Sequence, residues 1–526
     1  MDLMTPAAPT PTATHDRTLS EQSLWRRPIL IGTAATLPLL WDQITALGIT
    51  PVGYLFTDHP DLREDSVRSL GTLDSLPTLQ AIDPFSVAIV SLPANEGAVI
   101  LKVRSILRAC GIVERFVPTL GDMLASPTAS KANAGDIDLV ELIGRTPYGI
   151  DRRAVERVLA GKRVLVTGSG GSIGSELCRI ACTFRPEMII MMERSENALF
   201  EIDRQIGRRF PEVKRKAILH DVVDAEQTLR HLVALKPHAI FHAAAHKHVP
   251  LMEDHPSHAV TNNLFGTKSI ADAALAVGAE RFVMISSDKA VNPTSVMGAT
   301  KRLAEMYVQH LGVQSHGSTR AGRPGTSFSM VRFGNVLGSA CSVLPIWSNQ
   351  LAEGGPITVT DPRMTRYFMT INEAATLVIQ ASAIEPQGAQ APSIYVLDMG
   401  SPIKIADLAR RFVHLSGYQP RLPDHPPADD TGRSAIDIIF TGARPGEKLH
   451  EELSYGSEAL LPTPYPGIMA LASSVGADFD VTTMIAEFSG MRSHVDKASV
   501  LSAIRRHVPE MAPESPQGGD SRTKAA

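Results

Sequence analysis

Two regions of the chain show the same alternation, in which short uninterrupted apolar runs are separated by longer stretches whose apolar residues recur at helical spacing. In the first, "PILIGTAATLPLLWDQITALGITPVGYLFTD" from Pro28 predicts strand, turn, helix and strand, and "SVAIVSLP" predicts a further buried strand. In the second, "RVLVTG", "MIIMME", "AIFHAA", "RFVMISS" and "FSMVRFG" predict strands with helices between them. Wholly apolar strands joined by helices read as parallel strands covered on both faces, since the helix supplies the long crossover that a parallel neighbour needs. The pattern predicts an α/β protein with two doubly wound parallel-sheet domains, over residues 28–125 and 161–510.

The polar stretch "PTASKANAGD" and the following "IDLVELIGRTPYGIDRRAVERVLAGK" form a connector over residues 126–160, expected to dock on the second domain. A Pro/Thr/Ala-rich lead, residues 1–27, and a polar tail, residues 511–526, are expected to be disordered. Two Gly/Pro-rich insertions, "QSHGSTRAGRPGTS" and "LPDHPPADDTGRS", are expected to be mobile surface loops. The chain has 526 residues, 20% of them charged, with a net charge of −4, so it offers no polybasic surface for nucleic acid. No apolar run reaches the roughly 20 residues of a membrane-spanning helix. Cys110, Cys178, Cys182 and Cys341 have no metal-ligand spacing, and Cys178 and Cys182, four apart, are expected on one buried helix face in a reducing compartment.

The chemistry concentrates in the second domain. "RVLVTGSGGSIGSEL" places Thr167, Gly168, Gly170, Gly171, Ser172, Ile173 and Gly174 between an apolar strand and a helix. Glycines there allow a tight turn and a close approach of backbone N–H groups to a pyrophosphate, whose charge the helix N-terminus also favours, which is the Rossmann dinucleotide fingerprint. Glu193 ends the next strand about twenty residues further on, where a carboxylate binds ribose hydroxyls; Ser195 follows it, and Arg194 is placed for a 2′-phosphate. NAD is therefore favoured with NADP left open, and Asp221 and Val222, after the third strand, are placed beside the adenine. The first domain has one glycine, Gly32, in the equivalent turn, which favours a structural or regulatory role over dinucleotide binding.

"SVMGATKR" poses a chemical puzzle. Lys301 lies four residues after Met297, the spacing at which a short-chain dehydrogenase/reductase carries tyrosine and lysine, and a thioether has no proton to give. "SSDK" ends the strand "RFVMISS", so Ser287, Asp288 and Lys289 should project at the carboxyl edge of the sheet, where doubly wound folds bind ligands. His242, His246 and His248 alternate along "HAAAHKHVPLME" without a carboxylate or cysteine partner at ligand spacing, so no metal site is expected.

Together "TGSGGSIGSEL", "HAAAHKHVPLME", "SSDKAVNPTSVMGATKR", "VRFGNVLGS", "GGPITVTDPRMTRYFMT", "YVLDMGSPIKIADLA" and "TGARPGEKLHEEL" resemble the bacterial nucleotide-sugar 4,6-dehydratases of polysaccharide biosynthesis. Within them the chain is most similar to the long, methionine-containing UDP-N-acetylglucosamine 4,6-dehydratases of the CapD/WbpM/PglF type, over nearly all of residues 28–509. The resemblance implies an extended short-chain dehydrogenase/reductase with a small C-terminal substrate-binding part. It implies a lyase that oxidises sugar C4, eliminates water across C5 and C6 with retention at C5, and returns the hydride to C6. It also implies self-association and a cytoplasmic location, at most peripheral to the inner membrane. Relatives of this length usually carry transmembrane helices first, and none is evident here; Cys341 and Ala340 stand where the family generally has glycine and a polar residue.

By the same resemblance, Lys289 is the base and Asp288 the acid toward the C6 hydroxyl, with apolar surroundings expected to disfavour the charged lysine. Ser287 is expected to bond the 4-hydroxyl, Lys301 to hold the nicotinamide ribose, and Met297 to pack on sugar or cofactor. Ala243, Ala244 and Ala245 let backbone approach the cofactor, and Asn263 braces the site. Lys247, Asn335, Arg363, Arg366, Arg444 and Glu447 are expected on the nucleotide-sugar, Arg444 at the diphosphate and Glu447 at the uridine ribose. A UDP-sugar epimerase is the alternative of the same fold, and a non-catalytic nucleotide-sugar sensor or scaffold the alternative of another class.

Overall fold

The computed structural model describes residues 28–46, 48–58, 68–82, 85–92, 97–117, 139–316, 325–385, 394–423, 435–456, 458–472, 479–492 and 496–511. The expected disordered lead, nearly all of the tail and most of both insertions lie outside the described residues. The chain divides into two compact units, Met1–Ile137 with Val413–Ile436, and Asp138–Phe412 with Asp437–Ala526.

In the first unit, β1 (Ile29–Gly32), α1 (Leu37–Ala46), β2 (Gly53–Phe56), β3 (Ser69–Thr72), α2 (Leu76–Ile82), β4 (Val87–Ser91), α3 (Gly97–Ala109) and β5 (Val113–Phe116) follow in order. The sheet runs β3-β2-β1-β4-β5, all parallel. Ile29 to Ile31 and every residue of β4 are buried, as a central strand sealed on both faces requires. Separate apolar clusters cover the two faces, one around Ile29, Ile31 and Leu107 and one around Leu30, Leu37 and Ile89.

The second unit opens with two helices of the connector, α4 (Leu139–Ile143) and α5 (Arg152–Leu159). The loop between them is clamped within this unit: Arg145 donates to Glu373 and to the Asp398 carbonyl at 2.9 Å each, and the Tyr148 hydroxyl donates to Asp398 at 2.5 Å. Asp151 caps α5 by accepting from the Ala154 amide. Then come β6 (Arg163–Thr167), α6 (Ser172–Cys182), β7 (Met188–Glu193), α7 (Glu196–Arg209), β8 (Lys214–Leu219), α8 (Ala225–Leu235), β9 (Ala239–His242), α9 (Val249–Asp254) and α10 (Gly266–Val277). They are followed by β10 (Arg281–Ile285), α11 (Val296–His316), β11 (Ser327–Arg332), β12 (Asn335–Leu337), β13 (Phe368–Thr370), α12 (Ile371–Ala381), β14 (Ile394–Leu397), β15 (Leu460–Pro462) and β16 (Ile468–Leu471).

The main sheet runs β15-β16-β14-β11-β10-β9-β6-β7-β8; only the β15–β16 and β16–β14 pairs are antiparallel. Its order reverses between β6 and β9, which opens a crevice at their carboxyl ends. Cys178 and Cys182 lie buried on α6, and burial pushes the Cys182 thiol up to about 12, so both behave as core residues. The fold is thus the doubly wound parallel α/β architecture in both units. Among the described residues no helix is long and apolar enough to cross a membrane.

Candidate active site

The turn after β6 leaves no room for a side chain at Gly168, Gly170 or Gly174. Gly168 has φ +65°, and a Cβ there would lie 2.7 Å from the Ala244 amide nitrogen; at Gly174 it would lie 2.0 Å from the Gly168 carbonyl oxygen. Gly170 packs as closely, 2.5 Å between its notional Cβ and that of Ala198. The backbone is therefore drawn tight against Ala243 and Ala244, with the start of α6 facing the crevice, which is the cradle a pyrophosphate needs. The Glu193 carboxylate accepts from the amides of Gly170, Arg194 and Ser195 at 3.0–3.1 Å. Arg194 donates to the Asn262 side-chain oxygen Oδ1, reaches the His246 ring and lies 3.9 Å from Asp221, which is half exposed, whereas Val222 is buried. Thr167 sits at the end of β6 with its hydroxyl bonded to His242, and Ile173 is partly buried on α6.

Two histidines of "HAAAHKH", His242 and His246, are held by contacts within the fold. Both ring nitrogens of His242 are engaged, by Thr167 at 2.8 Å and Thr267 at 2.9 Å, and burial pushes its pKa down to about 3. His246 stacks on His258, and burial, then Arg194, push it to about 4. Asn263 accepts from the His246 amide and donates to the His246 carbonyl and to Thr300, so it braces this segment against α11. Lys247 donates to the Ala340 carbonyl at 2.8 Å, and the Ala340 amide donates to Ser172, which joins the loop after β12 to the cofactor turn. Cys341, exposed on that loop, has φ +57°, the left-handed region in which glycine sits without strain.

At the end of β10 the side chains of Ser287, Asp288 and Lys289 form one cluster. Lys289 Nζ donates to Asp288 Oδ1 at 2.9 Å and to Asn335 Oδ1 at 3.1 Å, and Ser287 Oγ donates to the same Asp288 oxygen at 2.9 Å. A second carboxylate, Glu451, lies 3.7 Å from Lys289 Nζ and 3.7 Å from Arg366 Nε. Asp288 Oδ2 and Glu451 Oε2 are buried with no hydrogen-bond partner. The expectation that Lys289 is easily neutralised is corrected here. Burial does oppose its charge, but the Asp288 and Glu451 carboxylates outweigh it and raise its pKa, so the resting amine is an ammonium. Burial does hold down Lys301, pushed to about 8 with Glu305 opposing, and its amine donates to the Ile285 carbonyl at 2.6 Å; burial also lowers Lys247. Met297 is buried at the start of α11, and a Cβ on Gly298 would meet the Lys289 carbonyl oxygen at 2.0 Å, so the helix start is pressed onto the Asp288–Lys289 turn.

Not every expected ligand group converges. Arg366 is buried and donates to the carbonyls of Thr365, Lys448 and Leu449, so its guanidinium frames the Lys289 cluster. Arg363 is exposed and forked onto Asp361. Arg444 and Glu447, assigned separate contacts from sequence, hold each other at 2.7 Å. Glu451 is the residue that sequence reasoning missed. It sits beside Glu452, which is half exposed and bonded to Lys448 and Asn292, and nothing in "KLHEEL" distinguishes the two.

Residues 164–473 match the family model described as "Polysaccharide biosynthesis protein". The probable polysaccharide biosynthesis protein EpsC of Bacillus subtilis is 40% identical over 469 residues, 86% of this chain and 72% of that protein. The capsular polysaccharide biosynthesis protein CapD of Staphylococcus aureus is 41% identical over 74% of this chain, which spans 61% of CapD, less than two thirds of its length. A Campylobacter jejuni UDP-N-acetylglucosamine 4,6-dehydratase (inverting) is 29% identical over 60% of this chain and 84% of its own. Among solved structures, Pen from Bacillus thuringiensis superimposes with a TM-score of 0.51 at 30% identity, covering 61% of this chain and 90% of Pen. With more than half its length matched by the family model and a parallel sheet built around the glycine turn, the chain belongs to the polysaccharide biosynthesis protein family.

Proposed function

We propose that the protein is a nucleotide-sugar 4,6-dehydratase that acts on UDP-N-acetylglucosamine in the cytoplasm with NAD as its resident cofactor. The observation that carries the reading is the cluster of Ser287, Asp288 and Lys289 with Asn335 at the carboxyl edge of the sheet, close to the glycine turn in the fold's order of strands. The named Campylobacter relative supports the reaction and the substrate. The turn at Gly168, Gly170 and Gly174 fits a dinucleotide, with Glu193 for ribose hydroxyls and Lys301 for the nicotinamide ribose. When bound, NAD supplies the hydride acceptor for sugar C4 and the hydride donor for C6.

The chain's own work is to move protons. Two leave the sugar, from the 4-hydroxyl and from C5, and two return, to the departing C6 oxygen and to C5, so the site ends as it began. An ammonium at Lys289 suits the donor to the C6 oxygen, with Asp288 taking the C5 proton, the reverse of the roles that resemblance alone suggests. Ser287 is suited to orient the 4-hydroxyl, whose proton leaves to solvent; the spent Lys289 amine regains one from solvent after water departs, and Asp288 stays free to take the C5 proton and return it. Lys247, Asn335, Arg444 and Glu447 are the residues assigned to the UDP-sugar. Retention at C5 is what the resemblance to the methionine-containing dehydratases implies, and the Campylobacter relative, which is inverting, sets the opposite outcome for the product to be tested against.

Purified protein incubated with UDP-N-acetylglucosamine should give a product lighter by one water, with proton NMR showing the C5 configuration unchanged. A sugar of unchanged mass would mean an epimerase, and saturable binding without turnover at any pH a sensor. Lys289→Ala should keep NAD bound and lose about 10²–10⁴-fold in product formation.

A further inference from the structure

We propose that Glu451 is a positioning residue of the proton-transfer centre, reaching in from the C-terminal segment to hold the Lys289 ammonium from a second side; this rests on reading Asp288 and Lys289 as that centre. The Glu451 side chain is 3% exposed and stands 3.7 Å from Lys289 Nζ, while Asp288 holds the same amine at 2.9 Å. The segment that brings it there is pinned to the site. Thr294 donates to the Gly446 carbonyl at 3.0 Å, Lys448 Nζ donates to the Val291 carbonyl at 2.8 Å, and Arg366 donates to the Lys448 carbonyl at 2.8 Å.

A buried carboxylate with one oxygen unbonded is costly unless a cation answers its charge, and Glu451 has one such oxygen. The cations that answer it are Lys289 and Arg366. Arg366 is fixed by backbone carbonyls, so the movable member of the trio is the lysine. The charged groups facing Lys289 are Asp288 from its own turn, Glu451 from the C-terminal segment and Arg366 from the residue pair before β13, beside the neutral Asn335 amide. Two carboxylates against one guanidinium leave the amine charged, and Glu451 supplies the part of that bias that the Asp288–Lys289 dipeptide lacks on its own.

The test requires no substrate. The full ligand-free chain is acylated with acetic anhydride across a pH series, and mass spectrometry reads the rate at Lys289 against exposed Lys214 in the same molecules. In Glu451→Gln, Lys289 should be acylated about tenfold faster at pH 8 to 9, the equivalent of one pH unit in its titration. Glu451→Asp, which keeps the charge but withdraws it by one methylene, should fall between, with a two- to threefold rise. If the glutamine variant does not fold, the aspartate variant decides. A Lys289 rate equal to wild type in a folded variant overturns the proposal. Because no sugar is involved, failure of UDP-N-acetylglucosamine to react sinks the proposed function and leaves this result standing. Where turnover is observed, Glu451→Gln should also move the alkaline limb of the kcat profile to lower pH with KM held within about threefold, and Glu451→Asp should restore most of it.

Discussion

The two units share a sheet order around their first strand, β3-β2-β1-β4-β5 in one and β8-β7-β6-β9-β10 in the other, yet their first turns are built for different ends. In the second unit the turn after β6 is all glycine and serine, and its amides line a crevice. In the first the turn after β1 is Thr33, Ala34, Ala35 and Thr36. There Thr36 accepts from the Thr33 amide and donates to the Ser91 carbonyl at 2.8 Å, and Asp58 accepts from the Ala34 amide at 3.1 Å. Both turns have an amide tied by a carboxylate, Ala34 by Asp58 here and Gly170 by Glu193 there, so the difference lies in the side chains that this turn carries where the other carries glycine. Shared strand order thus says where a dinucleotide can bind, and the side chains of one turn decide whether it does.

The comparison can be broken most sharply at Gly168. Gly168→Ala places a methyl against the Ala244 backbone at a positive φ, so NAD affinity measured by calorimetry should fall by about 100-fold or more, an estimate for a blocked backbone approach. Unchanged affinity would show that the turn is not the pyrophosphate cradle. Next in size is a pH effect confined to the second unit. His242 titrates at about 3 when folded, against 6.5 for the free side chain, so between those values the unfolded chain binds a proton that the native one does not. Stability must fall as pH drops through that window, by about 1.4 kcal/mol per pH unit at most, and denaturant titrations of His242→Gln should show a flatter pH dependence there. The smallest effect belongs to Gly32→Ala. Its Cβ would meet Thr36 Oγ1 at 2.6 Å and the Ser91 carbonyl at 2.8 Å, so the first unit should lose about 1–3 kcal/mol while NAD affinity stays put. A drop in NAD affinity in that variant would mean that the first turn binds cofactor after all.

What could be read from sequence was local. The strands at "RVLVTG", "MIIMME" and "RFVMIS" and the glycine turn declare themselves through runs and spacings of fewer than twenty residues. Cys178 and Cys182 were legible for the same reason. The surroundings of Lys289 were legible only in part: Asp288 stands beside it in sequence, but Glu451 lies more than a hundred residues away and is indistinguishable from Glu452 until the chain folds. Arg363 and Arg366 look alike as phosphate ligands in "DPRMTRY", but a two-residue strand pairing buries one and leaves the other on a turn. Arg444 and Glu447 lie three apart, close enough to satisfy each other before any ligand arrives.

The grip of Glu193 on the amides of Gly170, Arg194 and Ser195 carries a consequence for how a nucleotide would enter. A turn already tied by its own carboxylate has given up most of its conformational freedom before binding, so association exchanges one set of partners for another with little chain left to freeze. Loosening that tether would return to the turn a disorder that docking must then remove, and so would weaken the final hold.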